Sequence, residues 1–429
     1  MMKQQTTMDN HVPVLIVGAG PTGLMMACEL ARRSIPFRLF DKKSERTLSS
    51  NATWIQTRTI EIFDQMGIVD RFLKAGHTCD AINLYIEGKQ ITKIPLNTID
   101  SIYPFILMLP QSETEKIMND YLNELHIQVE RSLELVDIKI DKNTILSTIK
   151  HPDGHTETVT SDWLVACDGA NSMIREKCGL HFPGEDLTEQ FIVADASIDF
   201  SFMPKNEIHF FFDQGTIFAA FPLGSNKYRI AANLHLDYTR KIFTEREIIE
   251  IVQERAHGQY YVTNVAWISS FWIHGKLAEH MRHGPVFLAG DAAHLLSPAG
   301  GQGMNTGLQD AHNLAWKLAL VIQGHANPSL LDSYELERYP IVKASVDQNE
   351  YFTKIALYDD TFLTKVNQFS QELSHDQIAL SKKIGDSLTQ IDIKYEHSPV
   401  IDYEENAKDK SPTVGERAPD VVINETNHV

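Results

Sequence analysis

The run Gly18-Ala19-Gly20-Pro21-Thr22-Gly23 constrains this chain more than any other stretch of it. It follows Val12–Val17, a short apolar run rich in β-branched residues, and opens Pro21–Arg33, where apolar residues recur at helical spacing. Pro36-Phe37-Arg38-Leu39-Phe40-Asp41 then returns to strand character. Two parallel strands need a crossover of this kind, so the chain is expected to begin with an α/β domain built on a parallel sheet. In such a turn the first glycine permits the tight bend, the second lets backbone approach a pyrophosphate, and the third lets helix and strand pack closely. The helix start, with Pro21 and Thr22 in its first turn, offers N–H groups and a positive dipole end to phosphates. Asp41 ends the second strand roughly 20 residues on, where an acid can meet ribose hydroxyls.

A chain of 429 residues, 43% of them apolar, can hold two ordinary domains and a large core. Its net charge of −18 works against nucleic-acid phosphates and anionic membrane faces, so no nucleic-acid partner is expected. Cys28, Cys79, Cys167 and Cys178 show neither C-x-x-C spacing nor the density of a disulfide scaffold, which suits a reducing cytoplasm. The polar start MMKQQTTMDNH and the brief run after it match neither a leader nor a membrane span.

Further apolar strands, Trp163–Cys167 and Pro285–Leu288, lead into Asp168-Gly169 and Gly290-Asp291. Between them Glu207–Asp213, Thr216–Pro222 and Tyr228–Asn233 read as short strands separated by Gln-Gly and Gly-Ser-Asn turns. The expected architecture is therefore a Rossmann-type domain with an inserted, mainly antiparallel sheet and long C-terminal helices. The boundaries expected are 1–80, 105–180 and 283–397 for the first domain, and 81–104 and 181–282 for the second. A hairpin is read within 81–104, at Leu84-Tyr85-Ile86 and Gln90–Ile94. Asn305–Ile322 reads as a long helix ended by Gly324, and 398–429 as a polar tail.

Two further runs carry chemistry: Val165-Ala166-Cys167-Asp168-Gly169-Ala170-Asn171-Ser172 with Arg175 after it, and Gly290-Asp291 followed by Pro298-Ala299-Gly300-Gly301-Gln302-Gly303-Met304-Asn305. With the glycine turn, they resemble the flavin-dependent aromatic hydroxylases, the group A monooxygenases, over nearly the whole chain. The resemblance implies an FAD site formed by Gly18, Gly20, Pro21, Thr22, Gly23, Asp41, Asp168 and Asp291. Gly301, Gln302, Gly303, Met304 and Asn305 would open a helix whose N–H groups face the flavin pyrimidine edge, where negative charge builds on reduction. Pro298 and Gly303 would lie near the reactive edge. Leu109-Pro110-Gln111-Ser112 is similar to the family segment whose glutamine sits near the flavin, which implicates Gln111; its plainer reading is a helix capped by Ser112. Asn51-Ala52 stands where the family often has a basic residue beside the flavin phosphates, so Lys42, Lys43 or Arg58 is expected to replace it.

The family chemistry uses NAD(P)H as transient reductant and O2, adds oxygen at flavin carbon 4a, and transfers the terminal oxygen of the hydroperoxide to an aromatic small molecule. Water must be excluded, and Phe210, Phe212, Phe218 and Phe221 could line a dry pocket. His209, His235, Tyr228 and Tyr238 are available as bases by position, without any being assigned. His294 is read as a hydrogen-bonding residue of its turn. No metal is called for, and the sequence sets no oligomeric state. Pro412–Asp420 looks like the opening of the thioredoxin-like third domain of larger hydroxylases, and the tail reads as its remnant. Two other readings stay open: a flavin-dependent NAD(P)H oxidase or reductase, and a non-catalytic FAD-binding protein.

Overall fold

The computed structural model describes residues 10–46, 52–142, 144–199, 204–213, 215–234, 243–257, 261–297, 299–359, 361–366, 368, 377–400, 416–417, 422–424 and 427–428. Strand β1 (His11–Val17) buries Val14, Leu15 and Ile16 completely, as expected of a strand covered on both faces. It runs parallel to β2 (Phe37–Asp41) on one side and to β3 (Thr156–Ala166) on the other. Beyond β3 lies β4 (Val286–Leu288), again parallel. Val17 is level with Phe40 and Ala166, and Ala166 with Leu288. Four strands thus end at one edge, and the turns after them, at Gly18, Asp41, Asp168 and Gly290, are gathered there.

The first crossover helix, α1 (Pro21–Ala31), begins with Pro at its first position, where the missing N–H costs nothing. Beside it runs α2 (Gln302–Ile322), three residues longer at its start than the apolar spacing indicates. It ends in a Schellman motif: His325 N donates to Leu320 O, Gly324 N donates to Val321 O, and Gly324 has φ +74°. The long helix α3 (Asp332–Tyr358) and the later α4 (Gln377–Leu388) supply the expected C-terminal helices.

A second sheet has the strand order His294–Leu295, Tyr261–Leu277, Gly184–Asp199, Lys227–Leu234, Thr216–Pro222, Glu207–Asp213, Ala81–Ile86, Lys89–Pro95. Neighbours are antiparallel except Glu207–Asp213 with Ala81–Ile86, which run parallel. The expected hairpin and three short strands are all present, but the backbone of the sheet is a pair of 16- and 17-residue strands that local periodicity does not single out. Alternation divides the side chains. Phe211, Phe218, Tyr228 and Ile230 pack with Ile248 and Val252 of the helix Glu245–Arg255, while Phe210 and Phe221 pack on the opposite side with Trp54 and Met108.

A buried charge cluster joins the helices to the edge of the first sheet. Asp310, on α2, receives Arg338 Nε at 2.8 Å on one oxygen, and His294 Nε2 at 2.7 Å and Gly290 N at 3.1 Å on the other. All three side chains are sealed from solvent. Burial opposes the charge on Asp310, but Arg338 and His294 outweigh it and hold the carboxyl below its usual range. Among the described residues no helix is long and apolar enough to cross a membrane. Most of the tail lies outside the described residues; Arg417 donates to Glu61 at 2.8 Å.

Removing the carboxylate would strand Arg338 in the core. Asp310→Ala is expected to lose about 3–5 kcal/mol of stability, read as a lowered urea midpoint. An unchanged midpoint would show that the cluster contributes nothing.

Candidate functional site

One cleft of about 800 Å³ runs from the glycine turn, across the edge of the parallel sheet and the start of α2, to the inner face of the second sheet. At its first end a Cβ on Gly18 would meet Cys167 O at 2.2 Å, and one on Gly23 would meet Gly18 O at 1.9 Å. Both positions are closed by backbone. Around Gly20 a Cβ would meet nothing within 4 Å, so this glycine faces open space in the cleft. Gly23 therefore serves packing alone, while Gly18, Gly20, Pro21 and Thr22 line the wall.

Asp41 braces this turn. Ala19 N donates to one of its oxygens at 2.7 Å and Lys43 N to the other at 2.8 Å, leaving further lone pairs on both. Lys42 and Lys43 line the cleft beside it, as does Arg131, whose Nη1 is 3.8 Å from Asp41. Of the cations expected to replace the one missing near Ala52, Arg58 is not among the lining residues. It pairs instead with Glu61 at 2.9 Å. Gln111 lines the cleft, donating to Glu115 at 2.9 Å, and the helix begins at Gln111 itself after Pro110 rather than at a Ser112 cap.

In the middle stand two carboxylates. Asp168 accepts from Ile174 N at 3.4 Å on one oxygen, and its other oxygen is buried with no partner among the described residues. Burial pushes its carboxyl up, against the pull of Ser172 and nearby N–H groups. Asp291 projects into the cleft from the turn Gly290–Ala292, and no described residue donates to it. The protein walls raise its carboxyl as well, with His294 only partly offsetting them. Arg175 ties the two turns together, donating to Ala292 O and Ala170 O at 2.9 Å each. Gly290 has φ +61°, and a Cβ there would lie 2.4 Å from Thr22 Oγ1; one on Gly307 of α2 would lie 2.5 Å from the same atom. The two helices and the Gly-Asp turn meet at Thr22.

The chain enters α2 through two left-handed residues, Gly300 and Gly301. Gly301, Gln302, Gly303 and Met304 then line the cleft, so first-turn N–H groups without helical partners border it. Asn305 does not reach the cleft. Its amide donates to Trp54 O and Gly301 O at 2.8 Å and accepts from Gln56 N at 2.9 Å, stitching that strand to the helix start. Pro298 lies outside the described residues.

The far end is aromatic, with Trp54, Phe210, Phe221, Phe271 and Trp272 on its walls. Phe212 shares the strand face of Phe210 but sits outside the cleft, packed edge-on against Phe352 and Phe362. Phe218 belongs to the core on the other face. So do the two described candidate bases. His209 is buried with Nδ1 3.3 Å from the Tyr85 hydroxyl, and Tyr228 is buried with its phenol pushed up to about 12. His235 and Tyr238 lie outside the described residues. His294, bonded to Asp310, is a residue of its turn.

Among the lining residues that sequence reasoning did not anticipate are three basic ones, Arg131, Arg229 and His274. Arg229 forms a bidentate pair with Asp195, at 2.7 and 2.8 Å, and lies 5.2 Å from the Trp267 ring centre. The signal available was a cation amid apolar residues on a strand, in Tyr228-Arg229-Ile230.

An elongated polar ligand with phosphates in its middle and a flat ring at one end fits this cleft. The two helix starts suit anions, the unpartnered oxygen of Asp168 and the free carboxylate of Asp291 suit hydroxyl donors, and the open space at Gly20 admits a close backbone approach. These are features that FAD would satisfy.

The family described as FAD binding domain matches residues 11–349. Among similar proteins, a 6-methylpretetramide 4-monooxygenase of Streptomyces rimosus is 36% identical over 332 residues, which is 76% of this chain and 59% of that protein. A pentachlorophenol 4-monooxygenase of Sphingobium chlorophenolicum is 30% identical over 420 residues, 96% of this chain and 76% of that protein. The matches thus span about three-fifths to three-quarters of these relatives. The solved structure of an anhydrotetracycline hydroxylase from Streptomyces rimosus superposes with a TM-score of 0.78 at 28% identity, covering 98% of this chain and 82% of that one.

Two substitutions separate the roles along the cleft. Gly20→Val would fill the open space where the pyrophosphate is expected and abolish FAD binding, whereas Asp291→Ala would weaken it about tenfold through the loss of charged hydrogen bonds. Flavin fluorescence titration reads both, and full FAD occupancy in Gly20→Val would refute the assignment.

Proposed function

This chain belongs to the FAD binding domain family, and on that premise we propose that it is an FAD-dependent monooxygenase that hydroxylates an aromatic or polycyclic small molecule with NAD(P)H and O2. The observation that carries the reading is the continuity of the cleft, in which the glycine turn and the start of α2 open directly onto a wall of Trp54, Phe210, Phe221 and Phe271. A dinucleotide site alone has no need of that second, aromatic end.

On this reading residues 1–80, 105–180 and 283–397 form the FAD-binding part, and 81–104 and 181–282 the substrate part. The start of α1 and Gly20 take the pyrophosphate, and Asp41, already oriented by Ala19 N and Lys43 N, takes ribose hydroxyls. Asp168 and Asp291 accept from the remaining hydroxyls of the cofactor. What bound FAD supplies is two-electron reduction by NAD(P)H and the activation of O2. Overall, the aromatic C–H becomes C–OH, the second oxygen atom leaves as water, and NAD(P)H provides the electron pair. The N–H groups at the start of α2 stabilise negative charge at the ring edge, because the helix dipole is already pointed there. The aromatic wall keeps water from the reacting atoms and offers flat faces to a flat substrate. All four cysteines are unpaired, which agrees with a reducing compartment such as the cytoplasm.

Purified protein should oxidise NAD(P)H faster when a suitable phenol is present and should form hydroxylated product in step with it. Consumption matched only by peroxide would mark an oxidase, and no consumption a binding protein. Phe210→Ser, by admitting water, is expected to cut product per NAD(P)H about tenfold while leaving FAD bound; unchanged product yield would remove Phe210 from the wall.

A further inference from the structure

Helix α3 passes behind the loop that precedes α2, and two polar side chains on it are almost wholly buried: Asn349 is 5% exposed and Thr353 is 2% exposed. They are four residues apart and so share one helix face. Buried polar groups of this kind are costly unless hydrogen-bonded. Asn349 Nδ2 donates to Gln302 Oε1 at 3.2 Å. Thr353 Oγ1 donates to Asn349 O at 2.7 Å and lies 2.9 Å from Ser297 Oγ. A hydroxyl has one proton to give, so in the second contact Ser297 is the donor. Ser297 lies before α2 and Gln302 is the first residue of α2, and both line the cleft.

The next residues along α3 reach the other sheet. Lys354 Nζ lies 2.6 Å from Glu350 and 2.6 Å from Glu185, and a Cβ on Gly275 would lie 3.5 Å from Glu350 Oε2. One helix therefore sets the loop at the start of α2 against the two long strands of the second sheet. Asn349, Glu350, Thr353, Lys354, Glu185 and Gly275 are not themselves lining residues of the cleft.

We propose that Asn349 and Thr353 are positioning residues for oxygen transfer: Asn349 holds the Gln302 carboxamide with its oxygen turned back to α3 and its N–H donors presented to the cleft at the start of α2, and Thr353 fixes the same turn of α3 against Ser297. A donor fixed there adds to the helix N–H groups that favour charge at the ring edge. Thr353 thereby keeps the chain ahead of α2 in place. The inference rests on the proposed monooxygenase reading, since only a flavin ring at this end gives the donor a charge to meet. Gln302 itself is the group that would touch the cofactor.

The FAD-loaded variants Asn349→Leu, Asn349→Asp, Thr353→Val and Thr353→Ser separate positioning from mere stability. Asn349→Leu and Asn349→Asp remove the donor to Gln302 and are expected to lower the flavin midpoint potential and raise peroxide per NAD(P)H about fivefold, with FAD affinity held within about threefold. Thr353→Val should follow in the same direction, and Thr353→Ser, which keeps the hydroxyl, should return both values to those of the parent protein. A potential and peroxide yield that stay unchanged in both Asn349 variants, with only thermal stability lowered, would overturn the proposal. Should the parent protein form no hydroxylated product, the monooxygenase reading fails by itself. The midpoint potential of Asn349→Leu then still decides whether Asn349 orients Gln302 toward the flavin: a lowered value supports that placement and a value equal to the parent's overturns it.

Discussion

A carboxylate with no access to water, Asp310, is the point on which the edge of this molecule is built. Its two oxygens receive Arg338 from α3, His294 from the turn below, and the backbone N–H of Gly290. An unpaired buried carboxylate would be neutral; Arg338 keeps this one charged, and the charge is what makes each of its hydrogen bonds strong. The consequence for the cleft is positional. Gly290 is held at a left-handed φ against Thr22, and that backbone turn aims Asp291 into the cleft. Helix α2, which carries Asp310, is by the same interaction placed with its first turn bordering the same space.

Close packing does the rest. Thr22 is met from two sides by Gly290 and Gly307, and Gly18 by Cys167, at separations that leave no room for a side chain. The glycine turn, the Gly-Asp turn and α2 are therefore a single packed unit rather than three motifs that happen to be near one another. Arg175 extends the unit to the Asp168 turn through two backbone carbonyls. Groups unsatisfied within that unit, the helix-start N–H groups, one oxygen of Asp168 and the carboxylate of Asp291, belong to residues that line the same opening, which is why a dinucleotide cofactor suits it.

Much of this was readable in the sequence because its signals are local. Val12–Val17, the glycine turn, Asp41 and the apolar spacing of Leu308, Ala311, Leu314, Ala315 and Leu318 each announce an element within a few residues. The strands Gly184–Asp199 and Tyr261–Leu277 were not readable in that way. Their pairing is interrupted at Asp186/Gln190, Asp195/Ala196 and Ser197/Ile198, which breaks the period of two. Arg131, Arg229 and His274 reach the cleft only through sheet pairings between distant segments. Phe210 and Phe212 look equivalent by alternation, yet one faces the cleft and the other is covered by Phe352 and Phe362 from the C-terminal helical region. Asn305 belongs to the motif of the helix start, but its side chain is spent on holding Trp54 and Gln56.

The cofactor cradle opens into an aromatic chamber, and the proposed function requires oxygen to pass from one to the other. Isotope tracing tests that passage most directly. With heavy-isotope dioxygen, FAD, NAD(P)H and an aromatic compound that accelerates NAD(P)H oxidation, the product should carry one heavy oxygen atom, and none when the label is supplied in water. Product labelled from water, or dioxygen recovered entirely as peroxide with the aromatic compound unchanged, would contradict it.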